Sequence, residues 1–387
     1  MTHKTSIHWV GAGLASGPGI VSIAKSYGNL TVWDMTSDRA EMLKKQAGQD
    51  ADMQVKLLDL GDDASVAGFK AAIAKGDIVV SMLPAALHIQ MAEIALETGA
   101  HLVTSSYVSP EMQALDNRAK EAGIALVNEV GLDPGIDHLF THLLVDAAQK
   151  ASVLGCGNAI DFVSYCGGIP AVKNDFTYKF AWTPYGVLTA LKNQARFIEN
   201  GAEKTVTKAW EDVSELAIHG ETFEVYANRN SVPYVKEYGL DGETNLQKFV
   251  RGTIRLEGWK TAWKDIFNEV DTADTSALKE LSAKLWKDYA YGEKEEDRVV
   301  LYVALTAQKS DGSVWEGSLT LDEKGSGWKT AMAATVSLTV AEAVLAVAGG
   351  DMAAGVHAAI TDVAKCRKWL NGLIGNGLSI KAENVSL

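Results

Sequence analysis

Short apolar runs alternate with stretches whose apolar positions recur every three or four residues through roughly the first 130 residues. Ile7 to Val10 is the first run and predicts a buried strand leading straight into Gly11. Further strands are predicted over Leu30 to Trp33, ending in Asp34, and over Met53–Leu60, ending in Asp59-Leu60. Asp77–Leu83 is apolar at nearly every position, as suits a central parallel strand covered on both faces, and Pro84 ends it. His101–Ser105 and Ile124–Asn128 complete six predicted strands. Between them the pattern predicts helices from near Leu14, over Arg39–Gln46 behind a Thr36-Ser37-Asp38 cap, and over Asp63–Lys75, where Val66, Phe69 and Ile73 share a face. Two more are predicted over Ala86–Thr98 and Glu111–Ala122, the latter stopped by Gly123. Such alternation describes an α/β doubly wound parallel sheet rather than a barrel.

The texture then changes. Phe162–Tyr165, Glu221–Ala227, Phe249–Leu256, Val299–Gln308 and Ser313–Leu319 alternate like antiparallel strands with one wet face, with helices predicted over Pro184–Glu199 and Ser276–Asp288. Gly327–Leu345 turns helical again. The expected division is a nucleotide domain over residues 1–132, rejoined by about 328–387, and an α+β domain over 133–327. At 387 residues, two domains are the default.

A net charge of −13 argues against a nucleic-acid or anionic-membrane partner, either of which needs a basic face. The Met1–Thr5 start lacks the apolar core of a signal peptide, and the apolar stretch Thr335–Gly350 contains Glu342 and is short for a membrane span. Cys156, Cys166 and Cys366 have no metal-ligand spacing. No metal site is expected, and a reducing cytoplasm is.

Gly11-Ala-Gly13-Leu14-Ala15 follows the first strand. Gly11 and Gly13 permit a sharp turn and leave no side chain between the backbone and a bound pyrophosphate, at which the following helix aims its free N–H groups. Position 16 is Ser, so the third small residue of G-x-G-x-x-G falls at Ser16/Gly17. Asp34, about 20 residues on, is placed to take both hydroxyls of an adenosine ribose. A Rossmann-type dinucleotide site follows. Its border is expected to include Asp59, Leu60, Leu83, Pro84, His88, Ser105, Leu132, Asp133 and Pro134, all at the carboxyl ends of strands.

Three strings carry a family resemblance: Val103-Thr-Ser-Ser-Tyr-Val-Ser-Pro110, Asn128-Glu-Val-Gly-Leu-Asp-Pro-Gly-Ile-Asp-His138 and Ser164-Tyr-Cys-Gly-Gly-Ile-Pro170. Tyr178-Lys-Phe-Ala-Trp182, Tyr226-Ala-Asn-Arg-Asn-Ser231 and Val250-Arg-Gly-Thr-Ile-Arg255 follow in order. Together they resemble the saccharopine dehydrogenase family, in particular its glutamate-forming reductases. The resemblance runs from residue 7 to about 345 and is poor over Glu257–Asp297. It implies a two-domain homodimer that moves hydride between NAD(P) and a secondary amine bridging two amino acids. It also implies that Ser106, Tyr107, Arg229 and Thr253 touch substrate and that Cys166 lies at the site.

Saccharopine carries three carboxylates and two amines, so its pocket needs fixed cations for the former and hydroxyls or carboxylates for the latter. Arg229, in a turn-rich segment, can clamp a carboxylate through two parallel bonds, and Lys179 is a further cation. Asp133, between Leu132 and Pro134, can hold the amine or move its proton; it also suits a cap before a helix starting at Pro134-Gly135. Tyr107 is the third candidate for chemistry beside Asp133 and Cys166. Gly167-Gly168 allow close approach of a ligand, and Cys166 is expected to line the pocket without forming a covalent bond.

The family's best-known members prefer NADP and carry Arg after the second strand. Here Asp34 stands there, which favours NAD with NADP as the alternative; Arg39 can compensate only by bending back. Two other readings stay open. One is a relative acting on polyamine or lysine-derived imines, such as carboxynorspermidine dehydrogenase, homospermidine synthase or lysine 6-dehydrogenase. The other is a silent dinucleotide-binding sensor, which would be expected to have lost the Asp133, Cys166 and Arg229 set.

Overall fold

The computed structural model describes residues 4–387; Met1–His3, part of the start considered for a signal peptide, lie outside them. The chain forms two compact units. One comprises the chain up to Leu139 with Ala333–Thr361 and Lys368–Gly377, the other Phe140–Met332, Asp362–Arg367 and Leu378–Leu387.

The first unit holds a parallel sheet of seven strands, in the order Gly355–His357, Ala125–Val127, His101–Thr104, Ile78–Ser81, Ile7–Val10, Leu30–Asp34, Met53–Leu57. The order reverses at Ile7–Val10, which pairs with Leu30–Asp34 on one side and Ile78–Ser81 on the other. A crevice opens beyond strand ends at such a point. The six predicted strands are all present. The seventh, Gly355–His357, has one strongly apolar residue and no alternation to reveal it.

The first helix runs over Gly17–Ser26 rather than from near Leu14. The intervening residues turn instead: Ser16 N–H donates to Gly13 O at 3.1 Å and Ser16 Oγ to Gly11 O at 2.8 Å. The predicted Glu111–Ala122 helix is broken into Pro110–Gln113 and Asp116–Ala122. Phe69, Met91 and Met112 from the helices pack on Val79, Leu102 and Leu126 of the sheet. Gly19 has no room for a side chain. Its N–H donates to Ser337 Oγ at 2.8 Å, and a Cβ there would collide with Ser337 O on the helix Ala331–Ala348. That helix has the length and composition of a membrane span, yet two-thirds of it is buried in the fold.

The second unit is built on a mixed sheet. Ser214–Ile218, Glu221–Ala227, Leu246–Leu256, Ala159–Pro170, Asp297–Gln308, Val314–Gly325 and Ile380–Glu383 follow one another across it. All neighbours are antiparallel except Leu246–Leu256 with Ala159–Pro170. The predicted Pro184–Glu199 helix stops at Leu191, and Ala195–Glu199 is a strand in a hairpin with Ala202–Val206. Its period is two, with Ala195 and Phe197 buried and Arg196 exposed. The tail also departs from expectation: Ile380–Glu383 pairs with Val314–Gly325 and so belongs to the second unit's sheet. The region of poor resemblance is helical. Trp259, Trp263, Phe267, Leu281 and Leu285 form an aromatic-rich core with Phe176, whose ring lies 4.9 Å from that of Trp263 and 4.0 Å from that of Tyr289.

Candidate active site

At the switch point of the parallel sheet, a cleft of about 400 Å³ is lined by Gly11, Trp33, Asp34, Asp59, Leu60 and Leu83, among others. Gly11 has φ +98°, and a Cβ there would sit 2.8 Å from Met82 O. A Cβ on Gly13 would meet nothing within 4 Å, so the space beside that peptide is open, as a diphosphate requires. Leu14 is half exposed beside it, and Ala15 is partly buried. Asp34 Oδ2 accepts the Ala12 N–H at 2.6 Å, which ties the second strand's end to the glycine turn. Arg39 does bend back: its Nε donates to Gly13 O at 3.3 Å. Burial lowers the Arg39 pKa while the Asp34 charge opposes that shift. A guanidinium therefore stands beside the carboxylate where an adenosine ribose would lie. These residues fit a dinucleotide.

Beyond the neighbouring strands, Pro84 opens a short turn that delivers His88 to the start of the helix His88–Thr98. His88 is 5% exposed and its ring bridges two hydroxyls, Nδ1 lying 2.9 Å from Ser81 Oγ and Nε2 2.7 Å from Ser106 Oγ. Burial pushes this imidazole down to about 4. Expected on the cofactor's border, it has both ring nitrogens engaged by serines, one of them Ser106. Ser105 Oγ contacts Met82 Sδ at 3.9 Å.

The next residue, Tyr107, donates its hydroxyl to Asp133 Oδ1 at 3.2 Å. Both residues are partly buried. Leu132 is buried and Asp133-Pro134 is cis. The helix after this loop begins at Ile136, and the carboxylate at its head is Asp137, whose Oδ1 accepts the Gly135 N–H at 2.6 Å. The first-turn N–H groups of Ile136, Asp137 and His138 donate to Gly131 O, Leu132 O and Gly135 O, and Tyr107 and Asp133 form a hydroxyl–carboxylate pair at the carboxyl end of the sheet.

In the second unit, Cys166 and Thr253 are partners on adjacent strands, so they share a face of the sheet. Tyr226 partners Thr253 on the other side. Arg255, two residues on from Thr253, lies on that same face. Sequence reasoning passed over Arg255. Arg255 is 6% exposed; its guanidinium lies 4.9 Å from the Tyr178 ring and 5.5 Å from those of Tyr226 and Trp259, and donates only to the neighbouring Ile254 O, at 2.9 Å. Nε has no hydrogen-bond partner, and no described carboxylate pairs with the group. The missed signal was the spacing, since Thr253 and Arg255 fall on one face of any strand.

The other two expected cations are placed differently. Lys179 Nζ is bound by both oxygens of Glu295, at 2.7 and 2.5 Å, so as a clamp it would have to leave that partner. Arg229 is exposed with φ 56°, and its carbonyl accepts the Arg196 N–H at 2.8 Å. The paired glycines after Cys166 serve packing. A Cβ on Gly167 would strike Ile254 O, and one on Gly168 would come within 2.8 Å of the Met332 methyl.

Residues 7–127 match the family model of the saccharopine dehydrogenase NADP binding domain, and residues 131–378 that of the saccharopine dehydrogenase C-terminal domain. The chain belongs to the saccharopine dehydrogenase family. This family member is 37% identical over 262 residues to saccharopine dehydrogenase (NADP(+), L-glutamate-forming) of Pyricularia oryzae, a match covering 66% of this chain and 55% of that protein. To the Schizosaccharomyces pombe protein of the same name it is 30% identical over 331 residues, covering 76% of this chain and 70% of that one. Against the mitochondrial alpha-aminoadipic semialdehyde synthase of Mus musculus, identity is 31% over 272 residues, 68% of this chain and 28% of that protein. The match thus spans little more than half of the Pyricularia protein. The structure of apo saccharopine dehydrogenase (L-Glu forming) from Saccharomyces cerevisiae superimposes with TM-score 0.81 at 26% identity, covering 98% of this chain and 100% of that one. A homospermidine synthase from Legionella pneumophila in complex with NAD shares the fold, with TM-score 0.65 at 10% identity over 99% of this chain and 92% of that one.

Proposed function

We propose that this saccharopine dehydrogenase family member interconverts a saccharopine-type secondary amine with an amino-acid semialdehyde plus glutamate, coupled to NAD(P). The observation that carries the substrate class is Arg255. A buried guanidinium without a counter-ion is destabilising by several kcal/mol unless something compensates it, and the surrounding aromatic rings do so only in part, at about 0.5–2 kcal/mol each. A substrate carboxylate supplies the missing charge. A polyamine would add a cation to one already unpaired, so this feature favours the amino-acid reading. The names of the similar fungal proteins agree with it.

A bound nicotinamide supplies the hydride acceptor or donor. In the proposed mechanism Asp133, held by the Tyr107 hydroxyl, takes the proton from the bridging amine before oxidation, since a protonated amine has no lone pair to assist hydride departure. Water then adds to the substrate imine, and the same carboxylate can return a proton as the carbon–nitrogen bond breaks. Ser106 is a proposed substrate contact, as are Thr253 and Cys166 of the second unit, with Cys166 acting as a wall rather than a nucleophile. Gly11, Gly13 and Asp34 hold the dinucleotide. Asp34 favours the free ribose hydroxyls of NAD, whereas Arg39 beside it can receive the 2′-phosphate of NADP. The deciding experiment measures dinucleotide oxidation with α-aminoadipate semialdehyde plus glutamate, against aspartate semialdehyde plus a diamine. Turnover with the first pair is expected; turnover with the second alone would overturn the proposal. A homodimer is also proposed, for which light scattering in solution is the test.

A further inference from the structure

Tyr107 is held from both sides by one residue of another loop. Glu129 follows the strand Ala125–Val127, and its backbone N–H donates to Ser106 O at 3.0 Å, the carbonyl just before Tyr107. Its side chain then turns to the other flank: Oε1 accepts the Val108 N–H at 3.0 Å, the amide just after Tyr107. The remaining oxygen, Oε2, lies 3.0 Å from His138 Nε2, and both side chains are buried. Glu129 is 5% exposed and adopts φ 58°, a region that non-glycine side chains other than Asn, Asp and His seldom occupy. Such a conformation persists only where the surroundings impose it. A buried carboxylate in an unfavourable backbone state is a costly way to close a loop, which water or a serine could close on the surface.

We infer that Glu129 is a positioning residue: it brackets the two peptides flanking Tyr107 and thereby sets the Tyr107 hydroxyl against Asp133. The inference rests on the proposed roles of Tyr107 and Asp133. Both Glu129 bonds go to backbone, so they fix where the Tyr107 Cα sits and how its side chain leaves the chain. Displacing a reacting group by about 1 Å can cost up to a hundredfold in rate. The dinucleotide cleft at Gly11, Asp34 and Leu60 includes none of these residues, so its affinity is not expected to change.

The test compares Glu129→Asn, Glu129→Gln, Tyr107→Phe, Asp133→Asn and the Glu129→Asn/Tyr107→Phe double variant in the full chain. Asn tolerates the left-handed backbone yet is too short to reach Val108; Gln keeps an acceptor at the same reach. E129N is expected to lower kcat about tenfold or more with dinucleotide Kd unchanged, and E129Q to recover most of the loss. The double variant is expected to be no slower than Y107F alone. Multiplying losses in the double variant, or an E129N enzyme with wild-type kcat while Y107F and D133N are impaired, would overturn the inference by itself. Wild-type activity in both Y107F and D133N would instead retire the reading of the site. Should E129N fail to fold, E129Q decides: kcat within about twofold of wild type supports the bracket, and a loss equal to that of Y107F overturns it.

Discussion

The Arg255 guanidinium lies 4.9 Å from the Tyr178 ring, and none of the described carboxylates pairs with it. In most folds a buried arginine is neutralised by the protein's own acids; here aromatic faces surround it instead. Arg255→Ala is therefore expected to raise the KM for glutamate or saccharopine by about two orders of magnitude and to leave the dinucleotide Kd unchanged. It is also expected to hold or raise thermal stability, because a buried unpaired charge is removed. Lower stability with an unchanged substrate KM would make Arg255 a packing residue.

His88 provides a prediction about pH. Its folded value, about 4, lies below the ordinary 6.5, so the unfolded chain binds the proton first as pH falls. The associated stability is present above 6.5, declines between 6.5 and 4, and amounts to about 3 kcal/mol at full loss. NMR of the His88 ring is expected to show no titration above pH 5. A midpoint near 6.5 would mean that the Ser81–His88–Ser106 bridge does not persist in solution.

Asp34 and Arg39 make opposing demands on the cofactor. Asp34→Ala is expected to weaken NADH by about tenfold and to leave NADPH equal or better, while Arg39→Ala weakens NADPH more than NADH. Dissociation constants from nucleotide fluorescence measure both. Equal affinity of the D34A protein and wild type for NADH would reduce Asp34 to a brace for the Ala12 amide.

The glycines divide by role. Gly13→Ala places a methyl group in open space and is expected to leave Tm unchanged while weakening either dinucleotide at least about tenfold. Gly19→Ala drives a methyl group into Ser337 O and is expected to cost about 1–3 kcal/mol of stability, lowering Tm, with little effect on nucleotide affinity. Thermal shift and titration separate the two. A G13A protein with wild-type affinity would remove the diphosphate from the glycine turn.

The parallel sheet was legible because strands buried on both faces are written as unbroken apolar runs, and the helices between them keep a period near 3.6. Gly11, Gly13 and Asp34 were legible for a related reason, since their chemistry is local to one strand–turn–helix unit. The errors came where local pattern and tertiary pairing disagree. Ala195–Glu199 extends a helical-looking segment, yet as a strand it buries Phe197 against its neighbours. Gly355–His357 carries too little pattern to announce itself, and Ile380–Glu383 could have joined either sheet. Lys179 looked like a free cation until Glu295, far along the chain, was brought to it.

Taken alone, the order of residues determined the class of fold, the dinucleotide turn and the strings that mark the family, because each depends on neighbours within one or two elements. Only tertiary structure decided which charges stay unpaired. Lys179 met an acid and Arg255 did not; His88 was enclosed by serines; and Glu129 came to rest against both flanks of Tyr107. Those outcomes turn on separations of tens of residues, across which a side chain's solvation and charge are set by whatever the fold packs against it.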